Sequence, residues 1–139
     1  MNPLQITLVQ QSFAQAERIG PHVAATFYAE LFAIDPSLRR LFSGDMIAQG
    51  QKLMNMLKLV VDSLARPETI EPVVQRLAVK HLEYGVEARH YAMVGTALMR
   101  TLKHELGPAL TPEARAAWLC AYNWLAETMC AAAYGKNAA

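Results

Sequence analysis

Apolar residues recur along this chain at helical intervals, and the runs are cut by proline and glycine. No stretch sustains the alternation of a half-buried strand. Pro3 opens a first helix whose apolar positions are Leu4, Leu8, Phe13 and Ile19. Gly20-Pro21 breaks it and starts a second helix, with Val23, Phe27, Leu31 and Phe32 on one side. Asp35-Pro36 ends that helix, because the residue before proline is pushed out of the helical region. A short piece from Pro36 to Leu41 follows. Ser43-Gly44-Asp45 then turns and caps a long helix to Leu64, with Leu53, Met54, Leu57, Val60, Val61 and Leu64 inward. Arg66-Pro67 closes it, and the next helix runs from near Thr69 to Tyr84, where Gly85 stops it. A further helix covers Glu87 to Leu106 and ends at Gly107-Pro108. In Thr111-Pro112-Glu113 the threonine caps the last helix, the proline takes its first position, and the glutamate meets the positive end of the dipole. That helix carries Trp118 and Trp124 and reaches Tyr134. The pattern predicts an all-α fold of about seven helices joined by short loops.

Helices of such unequal length, sharply broken, do not make a four-helix bundle, which wants long matched partners. They suit an irregular globule with crossed helices around a central site. Ala24-Ala25 and Gly50 mark places where backbones can come close. A glycine inside a helix costs about 1 kcal/mol relative to alanine, and close approach of another helix is the simplest compensation for Gly50.

The 139 residues are 53% apolar and 18% charged. That length fits a single domain over residues 1–139, with no reductase or output domain, and such a chain can bury roughly 68–70% of its unfolded surface. It needs no disulfide or structural zinc to hold a core. A net charge of +1 gives no electrostatic reason to expect nucleic acid or an anionic membrane as partner. Cys120 and Cys130 are too few for a secreted disulfide scaffold and, on one helix, too far apart to bridge. The start, Met1 to Leu8, does not read as a signal peptide, and no apolar run approaches the ~20 residues of a membrane span. These features predict a cytoplasmic protein.

Of the histidines His22, His81, His90 and His104, only His81 sits on a clearly apolar stripe, after Ile70, Val73, Val74 and Leu77. A buried imidazole must hydrogen-bond or coordinate something. Taken alone, such a histidine is more often a satisfied core residue than a ligand. His22 and His104 read as surface residues, and His90 as structural. There is no glycine-rich phosphate loop, paired-histidine zinc motif or nucleophile elbow. Glu83, Glu87 and Glu105 read as solvated positions, and no catalytic residue is assigned. A lone buried histidine suits an axial ligand to a large apolar cofactor.

In order, Phe27-Tyr28, Asp35-Pro36, Leu41-Phe42, Gln49, Leu53, Lys80-His81, Tyr84-Gly85-Val86, His90-Tyr91 and Val94-Gly95 resemble a globin. The likeness is closest to bacterial single-domain haemoglobins and to the haem domain of flavohaemoglobins. It runs through nearly the whole chain, past Ala117-Trp118. The resemblance implies a globin fold around haem b (iron protoporphyrin IX), with His81 as the proximal iron ligand. Phe42 would wedge against the haem edge, and Leu53, Leu57, Leu77, Val86, Tyr91, Val94 and Leu98 would line its pocket. The second nitrogen of His81 would reach the carbonyl one turn earlier, near Leu77, and Tyr91 would lie on the proximal side within reach of His81. Tyr28 and Gln49, with Leu53 beside them, would face the bound gas. Lys52 would reach a haem propionate or a solvated face.

The function so implied is reversible oxygen binding for storage, delivery or scavenging. The alternative is a nitric oxide dioxygenase that relies on an external reductase. Carbon monoxide and nitric oxide would be further ligands, and the chain would be a monomer or homodimer. One departure bears on the choice. The flavohaemoglobin pattern places a glutamate late in the last helix, linked through the proximal tyrosine to the histidine. Here Ala133 stands at that position and Glu127 lies too early. That weakens the case for peroxidase-like or dedicated nitric oxide dioxygenase chemistry.

Overall fold

Short polar caps and first-turn prolines set most helix starts in this protein. The computed structural model describes residues 1–135. It has six α-helices: α1 Pro3–Ile19, α2 His22–Ile34, α3 Met46–Asp62, α4 Pro67–Glu83, α5 His90–Leu106 and α6 Pro112–Tyr134. Two short 3-10 segments, Pro36–Leu41 and Gly107–Ala109, complete the elements, and no strand occurs among the described residues. Asn2, Asp45 and Thr111 each cap a helix by accepting a backbone N–H, and Pro3, Pro67 and Pro112 sit in first turns where no donor is needed. Among the described residues, no helix is long and apolar enough to cross a membrane.

Three local expectations are corrected. In α1 the inward stripe is Val9, Ser12, Phe13 and Ala16, whereas Leu4 is 65% and Ile19 41% exposed. At about 100° per residue Leu4 falls on the side away from that stripe, and Ile19 is the last residue of the helix. Helix α4 starts at Pro67 rather than near Thr69, because Arg66 already takes the non-helical cap position. Helix α5 starts at His90 rather than Glu87. The Glu87 backbone N–H donates to His90 Nδ1 at 2.9 Å, so the buried His90 closes a turn ahead of the helix.

The core lies where α1, α2, α5 and α6 meet. Trp118 on α6 packs on Phe13 of α1, and its Nε1 donates to the buried Ser12 Oγ at 2.7 Å. This satisfies the one polar atom a buried tryptophan carries. Gly50 meets the expected close crossing: a Cβ there would lie 3.0 Å from Ala24 Cβ on α2. Gly95 makes a second close approach, since a Cβ there would come within 2.7 Å of the Tyr122 ring. Glu105, expected in solvent, is partly buried instead, with its side chain 7% exposed. It accepts from Thr26 Oγ1 at 2.6 Å and lies 3.3 Å from His22 Nε2, joining the end of α5 to the start of α2. Cys120 and Cys130 are both free and lie on α6.

Candidate functional site

Between these helices lies a cavity of about 850 Å³, within the range of pockets that bury most of a small-molecule ligand. Each wall is one helical stripe. Helix α3 presents Gln49, Lys52, Leu53 and Met56; α4 presents Leu77, Lys80 and His81, with Tyr84 just past its end; α6 presents Tyr122, Leu125, Ala126 and Met129. All three follow the spacing i, i+3, i+4, i+7, which aims side chains along one face. Helix α5 adds Tyr91, Val94 and Leu98, and Phe27, Tyr28 and Leu31 come from α2. Every site residue singled out in the sequence lines this cavity: His81, Phe42, Leu53, Leu57, Leu77, Val86, Tyr91, Val94, Leu98, Tyr28 and Gln49. The α6 wall was missed there, although its four positions carry the same stripe.

His81 lies in the last turn of α4, with Nδ1 2.8 Å from the Leu77 carbonyl. A carbonyl only accepts, so Nδ1 carries the proton and Nε2 keeps its lone pair. Burial lowers the imidazole pKa below its usual value, opposed only by that carbonyl. The imidazole is therefore neutral near pH 7, with the Nε2 lone pair uncommitted. The turn that holds it ends at Gly85, whose φ of +94° suits glycine alone. Gly85 N–H donates to Leu82 O at 3.1 Å and Val86 N–H to His81 O at 3.0 Å, the paired bonds of a Schellman ending.

Tyr28 is buried against Phe27 and Phe42, with ring centroids 5.1 and 5.3 Å away. Burial pushes its phenol pKa up, and contact with the Gln49 side chain partly offsets this. Tyr28 is thus a protonated donor at neutral pH, paired with an amide from α3. Phe42 also stacks on Phe32, at 5.6 Å, which fixes the segment after the Pro36–Leu41 turn.

Tyr91 is buried, and its hydroxyl is the one fully buried side-chain polar atom among the described residues that lacks a partner. It makes no bond to His81. Burial, then the neighbouring Tyr134 and Cys130, push its pKa up to about 12. Its backbone is braced from α6: Tyr122 Oη donates to Tyr91 O at 2.6 Å while its ring lies against Gly95. Ala133 is half-buried on α6 and Glu127 faces solvent. Among the described residues no carboxylate lines the cavity; the charged lining groups are Lys52 and Lys80. No group of three or more His, Cys, Asp or Glu is arranged to hold a metal among those residues. The walls suit a mainly apolar group with an anionic edge; two imidazoles, His81 and His90, line them, and His90 Nδ1 is already taken by the Glu87 N–H.

Comparison with known proteins gives the same picture. The globin family profile matches residues 25–129. Flavohemoproteins of Bordetella parapertussis and Deinococcus radiodurans are each 32% identical to this chain over 132 residues, covering 93% of it. The chain spans about a third of their length, 33% in both. A bacterial globin from Campylobacter jejuni superposes with a TM-score of 0.83 at 22% identity, covering 95% of this chain and 96% of that one. An engineered carbene transferase, described as a putative nitric oxide dioxygenase from Rhodothermus marinus, gives a TM-score of 0.81 at 29% identity, covering 91% and 89%. By fold, by the stripes around the cavity and by these matches, the chain belongs to the globin family.

Proposed function

We propose that this chain is a cytoplasmic haem globin that binds oxygen reversibly, for storage, delivery or scavenging. His81 Nε2 would hold the iron of haem b. One observation carries the reading: a neutral imidazole with Nδ1 committed to Leu77 shares a cavity with a protonated phenol and an amide from two other helices. When bound, haem supplies a ferrous iron with one position open to oxygen, carbon monoxide or nitric oxide. The Leu77 carbonyl fixes the tautomer and ring plane of His81. Tyr28 and Gln49 supply donors to a gas that gains negative charge on binding, at roughly 0.5–1.5 kcal/mol per hydrogen bond. Leu53, Leu57, Val94 and Leu98 keep water from the site, and Lys52 and Lys80 are placed for the carboxylates of the haem edge.

A second reading is nitric oxide dioxygenation, in which nitric oxide and oxygen become nitrate. It is favoured by the likeness to the Rhodothermus marinus protein. It requires electrons from an external reductase. Against it stands that, among the described residues, no carboxylate lines the cavity beside His81.

The test is an absorption spectrum of the haem-loaded protein, ferric, then reduced, then exposed to oxygen. A five-coordinate ferrous spectrum that converts to a stable oxygenated form supports the carrier reading. A six-coordinate ferrous spectrum without added ligand refutes the open site. Nitrate formed over many turnovers only when a reductase is added would favour the enzyme.

A further inference from the structure

His90 opens α5 and is only 5% exposed. The proposed gas chemistry leaves it unused, although it lines the cavity. Its Nδ1 accepts the Glu87 backbone N–H at 2.9 Å, so the proton of the neutral ring sits on Nε2. That Nε2 lies 3.7 Å from Glu87 Oε2. One imidazole thus holds Glu87 twice, its backbone by a hydrogen bond and its carboxylate at ion-pair range. Among the described residues no other group accepts the Glu87 N–H.

Charged groups meet this spot from every side. Arg89 pairs with Glu87 Oε2 at 3.3 Å and with Asp35 Oδ2 at 3.8 Å, joining the loop to the corner ahead of the Pro36–Leu41 turn. From that corner Asp35 bears on His90 and Arg40 on Glu87, while Tyr134 of α6 also neighbours Glu87. Hydrogen bonds from the Ser37 side chain and backbone hold the Asp35 carboxyl below the usual carboxylate range, and the Arg89 guanidinium does the same for Glu87. Burial pushes the Tyr134 phenol up. Between pH 5 and 8 both carboxylates and both arginines therefore stay charged and the phenol stays neutral, whereas histidine is the side chain that ordinarily changes charge there. His90 is the one histidine of this cluster.

We propose that His90 is a proton-operated latch on the loop between α4 and α5, which walls one side of the cavity. A proton added at Nδ1 turns the acceptor into a donor. Two N–H groups then face each other at 2.9 Å, and the bond is lost. The charged ring is drawn instead to the Glu87 carboxylate. Because the ring is enclosed, the loop gives way and takes the Glu87 N–H to water. Val86, the residue before Glu87, lines the cavity, so a loosened loop is a loosened wall. The latch goes beyond the proposed function and does not depend on which gas the cavity serves.

The test uses the full chain, isotope-labelled at nitrogen, loaded with haem, reduced and bound to carbon monoxide, and followed by nuclear magnetic resonance. At the alkaline end of that pH window a coupling across the hydrogen bond should link Glu87 N to His90 Nδ1. It should vanish towards the acid end, while the Val86 amide shifts with the same midpoint as the His90 ring nitrogens. Glu87→Gln removes the carboxylate that attracts the charged ring and should move that midpoint to lower pH. His90→Asn keeps an acceptor that cannot charge. The Val86 shift should disappear in it, and the acceleration of haem loss by acid should fall about two- to tenfold, the worth of one hydrogen bond. A coupling that persists to the acid end, or a Val86 titration unchanged in His90→Asn, overturns the proposal. Equal acceleration of haem loss by acid in both proteins does so too. If the chain takes up no haem, the proposed function fails, while the same coupling followed in the chain alone still decides the latch.

Discussion

Replacing Tyr28 by phenylalanine deletes one oxygen atom and leaves the ring stack with Phe27 and Phe42 in place. The residue is only 7% exposed, so the lost hydroxyl is not replaced by bulk water. A neutral hydrogen bond nets roughly 0.5–1.5 kcal/mol and one to a charged group 1.5–3 kcal/mol. Oxygen on ferrous haem carries partial charge, so about 1–2 kcal/mol is the reasonable figure, or about five- to thirtyfold in dissociation rate. Carbon monoxide polarises less and should change much less. The assay is stopped-flow release of each gas from haem-loaded Tyr28→Phe, Gln49→Leu and the double variant. Gln49 bears on the Tyr28 phenol, so the losses should be non-additive. Equal acceleration for both gases, or no change for oxygen, would refute the assignment of Tyr28 as a donor to the bound ligand. The first result would point to a change in cavity access instead.

Other consequences follow from the packing. Gly50→Ala should destabilise the protein by about 1–3 kcal/mol despite the better helix former, because the new methyl meets Ala24 at 3.0 Å; urea unfolding checks this. Glu105→Ala should cost about 1–3 kcal/mol by leaving Thr26 without its acceptor, again read from the urea midpoint. In the haem-free protein, burial lowers the His81 pKa below the usual 6.5 of the unfolded chain. The unfolded state thus takes up the proton first. The contribution is fully present above that value and is lost as pH falls through the lower folded pKa. The urea midpoint should drop on acidification, and the drop should be smaller in His81→Leu; an equal pH dependence in both would sink the assignment.

How far the sequence could be read depends on whether a feature is local. Pro3, Pro112 and Thr111, and the stops at Gly20, Gly85 and Gly107, act through their own turns and landed where expected. The ring of cavity residues was legible through the globin-like spacing, which places His81, Tyr28 and Gln49 together; the helical stripe alone did not disclose the α6 wall. What failed depends on partners distant in the chain. Leu4 and Ile19 look as apolar as Val9, and which of them is covered depends on the helix face that α6 and its neighbours pack against. Glu105 reads as polar surface until Thr26, 79 residues away, meets it. The Tyr122 hydroxyl on Tyr91 O and the Tyr134 hydroxyl on Val86 O join α6 to backbone carbonyls, which a sequence does not display.

The near-contact of Gly50 with Ala24 has a mechanical consequence. Gln49 is the neighbour of Gly50, and Tyr28 stands one turn along from Ala24. The two donors are therefore bolted to the same crossing and move as one jaw. On the proposed function, a tilt of either helix to admit a larger gas would shift Tyr28 and Gln49 together. Redesign for bulkier ligands must trade volume between positions 24 and 50 together, and either change alone would misalign both groups at once.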